Sequence, residues 1–296
     1  MTEIPLFPLR SVLCPGVALP LHIFEERYRL MIDRCIERGE PFGVVLIRDG
    51  GEVGPLSGEF ATIGTTATIR RAGKYPDGRL DILTVGQQRF RLESVDSVSQ
   101  PYLIGRVEFL AEPTGPAEEA REQAARIGHR FLEYLELLQP EGGEDGPEIE
   151  IEFEIEVDED DDEAADAAQA SDVTEPAGEY ESVRHEESVE GASPPESADP
   201  LVQEMDAAEL SPEQRREVLM AAARRLTGTV DPTSLSYVLT ALIQIDLASR
   251  QQLLEAADTV ERLQGLGRLL SRETWFLRQG LRPIIIDPAQ PQQRDA

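Results

Sequence analysis

Residues Ile4–Asp33 read IPLFPLRSVLCPGVALPLHIFEERYRLMID, and this opening decides the fold. Two short apolar runs are punctuated by Pro5, Pro8, Pro15 and Pro20, and an amphipathic stretch follows. Proline fixes φ and removes an amide donor, so it belongs at strand edges and turns. The opening therefore calls for a β structure with irregular edge strands. Phe24, Tyr28, Met31, Ile32, Cys35 and Ile36 then recur at helical spacing, and Gly39 stops the run. Glu25 and Glu26 near its start and Arg34 and Arg38 near its end suit the helix macrodipole.

Outward from there, residues 1–112 read as β-rich. Candidate strands are 4–7, 17–21, 42–47, 60–70, 80–85, 87–93 and 102–110. Residues 60–70 carry the β-branched enrichment of strands, with Thr62, Ile63, Thr65, Thr66, Thr68 and Ile69. Tyr75-Pro76-Asp77-Gly78 is a turn signal that predicts a hairpin between 60–70 and 80–85.

Within 113–140 a helix is predicted over 117–138, with Ile127, Phe131, Leu135 and Leu138 on its apolar face. Composition then changes abruptly. Residues 141–200 hold 24 acidic side chains and one basic one, Arg184, which is −23 of the chain's net −29. Such a segment buries too little apolar surface to offset chain entropy, so disorder is expected. Inside it, Ile149, Ile151, Phe153, Ile155 and Val157 alternate with glutamates, a strand pattern. Two readings stand: a solvated edge strand, or one that adds to a sheet edge here or on a partner. Residues 201–282 read as helices. Ser211-Pro212-Glu213-Gln214, Asp231-Pro232 and Asp258-Thr259-Val260-Glu261 are start signals, and Trp275 is assigned to the bundle core. Residues 283–296 form a loose, Gln- and Pro-rich tail.

Acidic charge argues against a nonspecific grip on nucleic acid or anionic membrane. No apolar run is long enough to span a bilayer. The N-terminus lacks the pattern of a signal peptide, so a cytoplasmic protein is expected. Cys14 and Cys35, the only cysteines, read as buried free thiols. His22, His129 and His185 are far apart; His22 reads as a packing or capping residue and His129 as a boundary residue. Asp158–Glu163 lacks the spacing of an EF-hand loop. No metal, cofactor-binding or catalytic residue is assigned.

Several stretches resemble the Lon protease N-terminal, substrate-binding domain family, and in particular stand-alone bacterial proteins built on that module. They are Pro5–Leu9, Pro15-Gly16, Leu19-Pro20-Leu21, Ile23-Phe24-Glu25 with Arg27-Tyr28, Phe42–Leu46, Gly86–Leu92, and Asp246–Leu263. The resemblance is strong over 4–112 and weaker over 200–280. It implies an α+β fold, a PUA-like β-pseudobarrel with an embedded helix, followed by a C-terminal helical bundle. It also implies recognition of polypeptides, unfolded segments included. Phe24 and Tyr28 are read as helix core, and Glu25 and Arg27 as a local pair.

Lon itself couples a nucleotide-driven motor to a Ser-Lys peptidase. A P-loop needs Gly-rich backbone ending in Lys-Ser/Thr, and a Ser-Lys dyad needs a desolvated lysine. The single lysine, Lys74, precedes Tyr75 and a polar turn, and serves neither. A non-enzymatic polypeptide-binding protein is the expectation. Two rivals are an RNA-binding PUA-like module using Arg70, Arg71, Arg89, Phe90 and Arg91, and a hydrolase with an unrecognised pocket.

Overall fold

The computed structural model describes residues 2–49, 59–138 and 211–281. The proline-rich opening becomes β1 (Thr2–Leu9) and β2 (Ala18–Ile23). β1 runs antiparallel to β7 (Leu103–Phe109) through Thr2–Leu6, and parallel to β3 (Phe42–Asp49) through Leu6–Leu9. Pro5 and Pro8 thus each lie where β1 has one ladder partner, so no hydrogen bond is lost to the missing amide.

The remaining strands are β4 (Glu59–Phe60), β5 (Ile63–Lys74) and β6 (Leu80–Asp96). The order is β1-β7-β6-β5-β3-β4, with β2 pairing on β6. Because β1 touches both β7 and β3, the mostly antiparallel sheet curls into a pseudobarrel. It is not a regular closed barrel: the β5–β6 register shifts twice and β2 pairs with β6 alone. The expected hairpin turn joins β5 to β6, with Tyr75 N–H bonded to Arg79 O at 2.9 Å and Gly78 at φ 85°. The two strands expected at 80–85 and 87–93 are one. Gly86 continues the strand, and its missing side chain leaves room for the Cys14 carbonyl, which a Cβ would strike.

α1 (Glu26–Arg38) buries Tyr28, Met31, Ile32 and Cys35 against Phe7, Phe42 and Ile82. It ends at Gly39, φ 63°, whose amide reaches Cys35 and Ile36 carbonyls, a left-handed cap that glycine adopts without strain. Phe24 is not core. The helix begins after it, so Phe24 follows the strand alternation, with Ile23 inward and Phe24 outward at 52% exposure. Ile36 is exposed as well.

The helical part comprises α2 (Ala117–Leu138), α3 (Pro212–Thr229), α4 (Pro232–Leu242), α5 (Leu247–Leu254) and α6 (Thr259–Arg278). Ser211 and Gln214 form a reciprocal capping box, and Asp231 caps Thr233 and Ser234 amides. Asp258 caps Glu261, whose carboxylate reaches back to Ala257 N–H at 2.7 Å. Ile127, Phe131, Leu239, Leu263, Leu266 and Leu270 form the centre of the helical core. Trp275 is not in it: five residues after Leu270, it lies roughly 140° round the helix and is 56% exposed.

All these elements belong to one compact unit; residues 154–210 lie outside the described residues. So do the rest of the acidic stretch 141–200, with the alternating 149–157 segment and His185, and the tail 283–296.

Candidate functional site

The alternation of β2 sorts its side chains. Leu19, Leu21 and Ile23 pack on the β-core, while Pro20 and His22 face out, followed by Phe24 on the same side. His22 pairs in register with Asp81 of β6, and its Nδ1 lies 2.6 Å from Asp81 Oδ1. The Tyr75 hydroxyl donates to the other Asp81 oxygen. Ring centroids of His22 lie 6.2 Å from Phe24 and 6.4 Å from Tyr75, and the Arg79 guanidinium lies 5.5 Å from the Tyr75 centroid. The result is a surface cluster of three rings, two of them tied by one carboxylate and the third, Phe24, stacked beside His22. Two hydrogen bonds, that from Tyr75 first, hold the Asp81 carboxyl below its usual range. The same bond raises the Tyr75 phenol above its ordinary value. Asp81 thus bridges His22 and Tyr75. Exposed ring faces and a fixed polar rim suit binding contacts.

A second constellation is buried. Arg89 of β6 donates to Glu112 Oε1 at 2.7 Å and to the carbonyls of Leu254 and Ala256 at 2.6 and 2.8 Å. Arg262 of α6 donates to Leu253 O, Ser236 Oγ and the Tyr237 hydroxyl, and stacks 3.7 Å from the Tyr237 ring centroid. Tyr237 in turn donates to Glu112 Oε2 at 2.5 Å. Two guanidiniums thus share one carboxylate and cap the C-terminal end of α5, where carbonyls lack helical partners. Burial raises the Tyr237 phenol despite the nearby arginines. Cys14 borders this seam, and burial pushes its thiol up to about 12.

A groove of about 440 Å³ also opens beside α1, lined by Arg34, Arg38, Glu3, Glu40, Asp96 and Arg106. Its charges are mixed: Glu3 pairs with Arg106 at 3.4 Å, and Asp96 is engaged by Val98 and Ser99 amides.

The residues singled out in the sequence separate. Lys74 is exposed and paired with Asp33 at 3.2 Å. Glu25 and Arg27 form the expected pair at 2.8 Å. His22 neither packs nor caps α1; it bonds across strands. His129 is exposed on α2. Arg89 and Phe90 are buried and Arg91 pairs with Glu108 at 2.8 Å, so these residues do not form one basic aromatic face. Among the described residues, no group of three or more His, Cys, Asp or Glu could hold a metal ion, and no helix is long and apolar enough to cross a membrane. The ring cluster was missed because Phe24 was counted in the helical period. The signal was available in the outward pair His22 and Phe24, next to a turn carrying Tyr75.

The family model for the ATP-dependent protease La (LON) substrate-binding domain matches residues 3–272. The chain belongs to the Lon substrate-binding domain family. The Lon protease of Parabacteroides distasonis is 35% identical over 125 residues, which is 42% of this chain and 15% of that protein. The Lon protease of Paraburkholderia phytofirmans is 36% identical over 144 residues, 47% of this chain and 17% of that protein. The matched stretch is thus less than a fifth of the length of these curated relatives. The solved N-terminal domain of the Mycobacterium avium complex Lon protease superposes with a TM-score of 0.52 at 16% identity, covering 91% of this chain and 98% of that one. At that identity the likeness is one of fold. Membership in the Lon substrate-binding domain family supports a substrate-binding role.

Proposed function

We propose that this chain is a non-catalytic polypeptide-binding protein that takes up unfolded segments on the outward face of β2 and β6. One observation carries the reading: Phe24 and Tyr75 stand 52% and 43% exposed on either side of His22, with Tyr75 and His22 fixed by Asp81, a surface cluster of rings that burial does not account for. The family supplies the class of partner, since what a protease's substrate-binding domain holds is polypeptide. The solvated setting of Lys74 supports the absence of chemistry, because a lysine base must be desolvated to act. Two buried free thiols suit a reducing compartment such as the cytoplasm. RNA binding is disfavoured by the burial of Arg89 and the pairing of Arg91 with Glu108. Fluorescence anisotropy with labelled α-lactalbumin tests the reading. The reduced, alkylated, unfolded form binds without ATP and the native form does not; equal behaviour of the two forms would refute it.

A further inference from the structure

α6 carries an apolar patch that neither the helical core nor the ring cluster uses. Trp275 is 56% exposed, its ring centroid lies 5.1 Å from that of Phe276, and Leu281 is 54% exposed just past the helix end. To either side of Trp275 on the helix, Arg272 pairs with Glu273 and Arg278 with Glu133 of α2, so the patch has a charged rim. The helix end then turns the chain back. Gly280 takes φ 73°, its amide bonds to Leu277 O at 2.9 Å, and the Leu281 amide bonds to Phe276 O at 3.0 Å. This Schellman arrangement directs the chain after Gly280 back toward Phe276. The sequence continues Arg282-Pro283-Ile284-Ile285-Ile286-Asp287, outside the described residues. Proline biases Arg282 toward extended backbone, and three β-branched residues favour the same.

We propose that Ile284–Ile286 folds back over Trp275 and Phe276 and covers them. Reach and spacing both allow it. Trp275 lies roughly 9 Å back along the helix axis from Leu281, and an extended chain carries Ile285 about 13 Å from Leu281. In an extended run Ile284 and Ile286 share one side, roughly 6.6 Å apart, close to the 5.1 Å between the two ring centroids. An occupant tethered by a few residues acts at about millimolar effective concentration, ahead of a partner chain in solution. Left apart, the Trp-Phe pair and the isoleucine run would be two apolar surfaces open to association. Docked, the segment withholds the α6 rings from partner chains and leaves uptake to the face of β2 and β6. The contact opens locally, apart from global unfolding, so it adds little to the stability of the bundle. The inference does not depend on the polypeptide-binding reading.

Trp275 is the chain's one tryptophan, so its fluorescence reports this patch alone. In the full chain, Ile284→Ser/Ile285→Ser/Ile286→Ser shifts the emission to the red and raises acrylamide quenching by about twofold or more, as the tethered cover is lost. The helical circular dichroism stays as in the parent. Equal emission and quenching in parent and variant would overturn the proposal. So would shielding of Trp275 that grows with protein concentration and survives the triple substitution, which would assign the patch to a second copy. Shielding that appears only on adding reduced, alkylated ribonuclease A, which has no tryptophan, would overturn it in favour of a partner polypeptide. NMR gives a reading free of any variant. Cross-peaks between the Trp275 indole and the isoleucine methyls of residues 284–286 are expected in the parent, and their absence would contradict the contact.

Discussion

Arg89 and Arg262 converge on the carboxylate of Glu112, one from the sheet and one from the last helix, at 2.7 and 3.8 Å. Their side chains are 3% and 0% exposed, so the β-rich and helical parts meet through a buried ionic seam. Removing one member strands charge in a low-dielectric interior, which costs about 3–5 kcal/mol. Arg89→Met should therefore lower unfolding free energy by that order, measured by urea titration with circular dichroism. A loss under about 1 kcal/mol, the range of an exposed pair, would contradict the seam's role.

Phe24→Ala and Trp275→Ala should each leave stability within about 0.5 kcal/mol, because both rings are more than half exposed. Phe131→Ala, at 2% exposure in the helical core, should cost about 3–5 kcal/mol. Thermal melts of the three variants check the contrast.

The cysteine thiols report the seam and α1 separately. Burial pushes Cys14 up to about 12, against the opposing pull of Arg250, Arg262 and Arg89. Burial and then Glu40 push Cys35 to about 11. At pH 8 neither should react with Ellman's reagent in the native protein, and both should react in denaturant. Arg89→Met should speed labelling of Cys14 more than that of Cys35. Rapid reaction of Cys14 in the native parent would show the seam to be open.

The ring cluster has a pH window. Asp81 is depressed, so its contribution is present above its ordinary value of 3.8 and lost as pH falls through the lower folded value. Tyr75 is raised, so its contribution is present below 10.0 and lost as pH rises through the higher folded value. Asp81→Asn should bring the Tyr75 ionisation back toward 10.0, followed by NMR of the labelled ring. An unchanged Tyr75 titration would contradict the bond.

Much of the fold was legible because its signals are local. Turn residues at 75–78, the Ser211 box and the Asp231 cap each act within a few residues. The family stretches added the order of the parts. The ring cluster and the seam were not legible, because their members meet across long separations: His22 with Asp81, Arg89 with Leu254 and Ala256. Phe24 was misplaced because helical and strand periods overlap at the junction of β2 with α1. Trp275 was misplaced because an apolar residue type outweighed its angular position on α6.

Binding of labelled, reduced and alkylated α-lactalbumin to the parent chain and to the Phe24→Ser/Tyr75→Ser double variant tests the central claim most directly. The double variant should melt as the parent does and lose affinity by about tenfold or more, as expected when two aromatic anchors are removed. Trp275→Ser should bind as the parent. A folded double variant with undiminished affinity would contradict the assignment of the binding surface to β2 and β6.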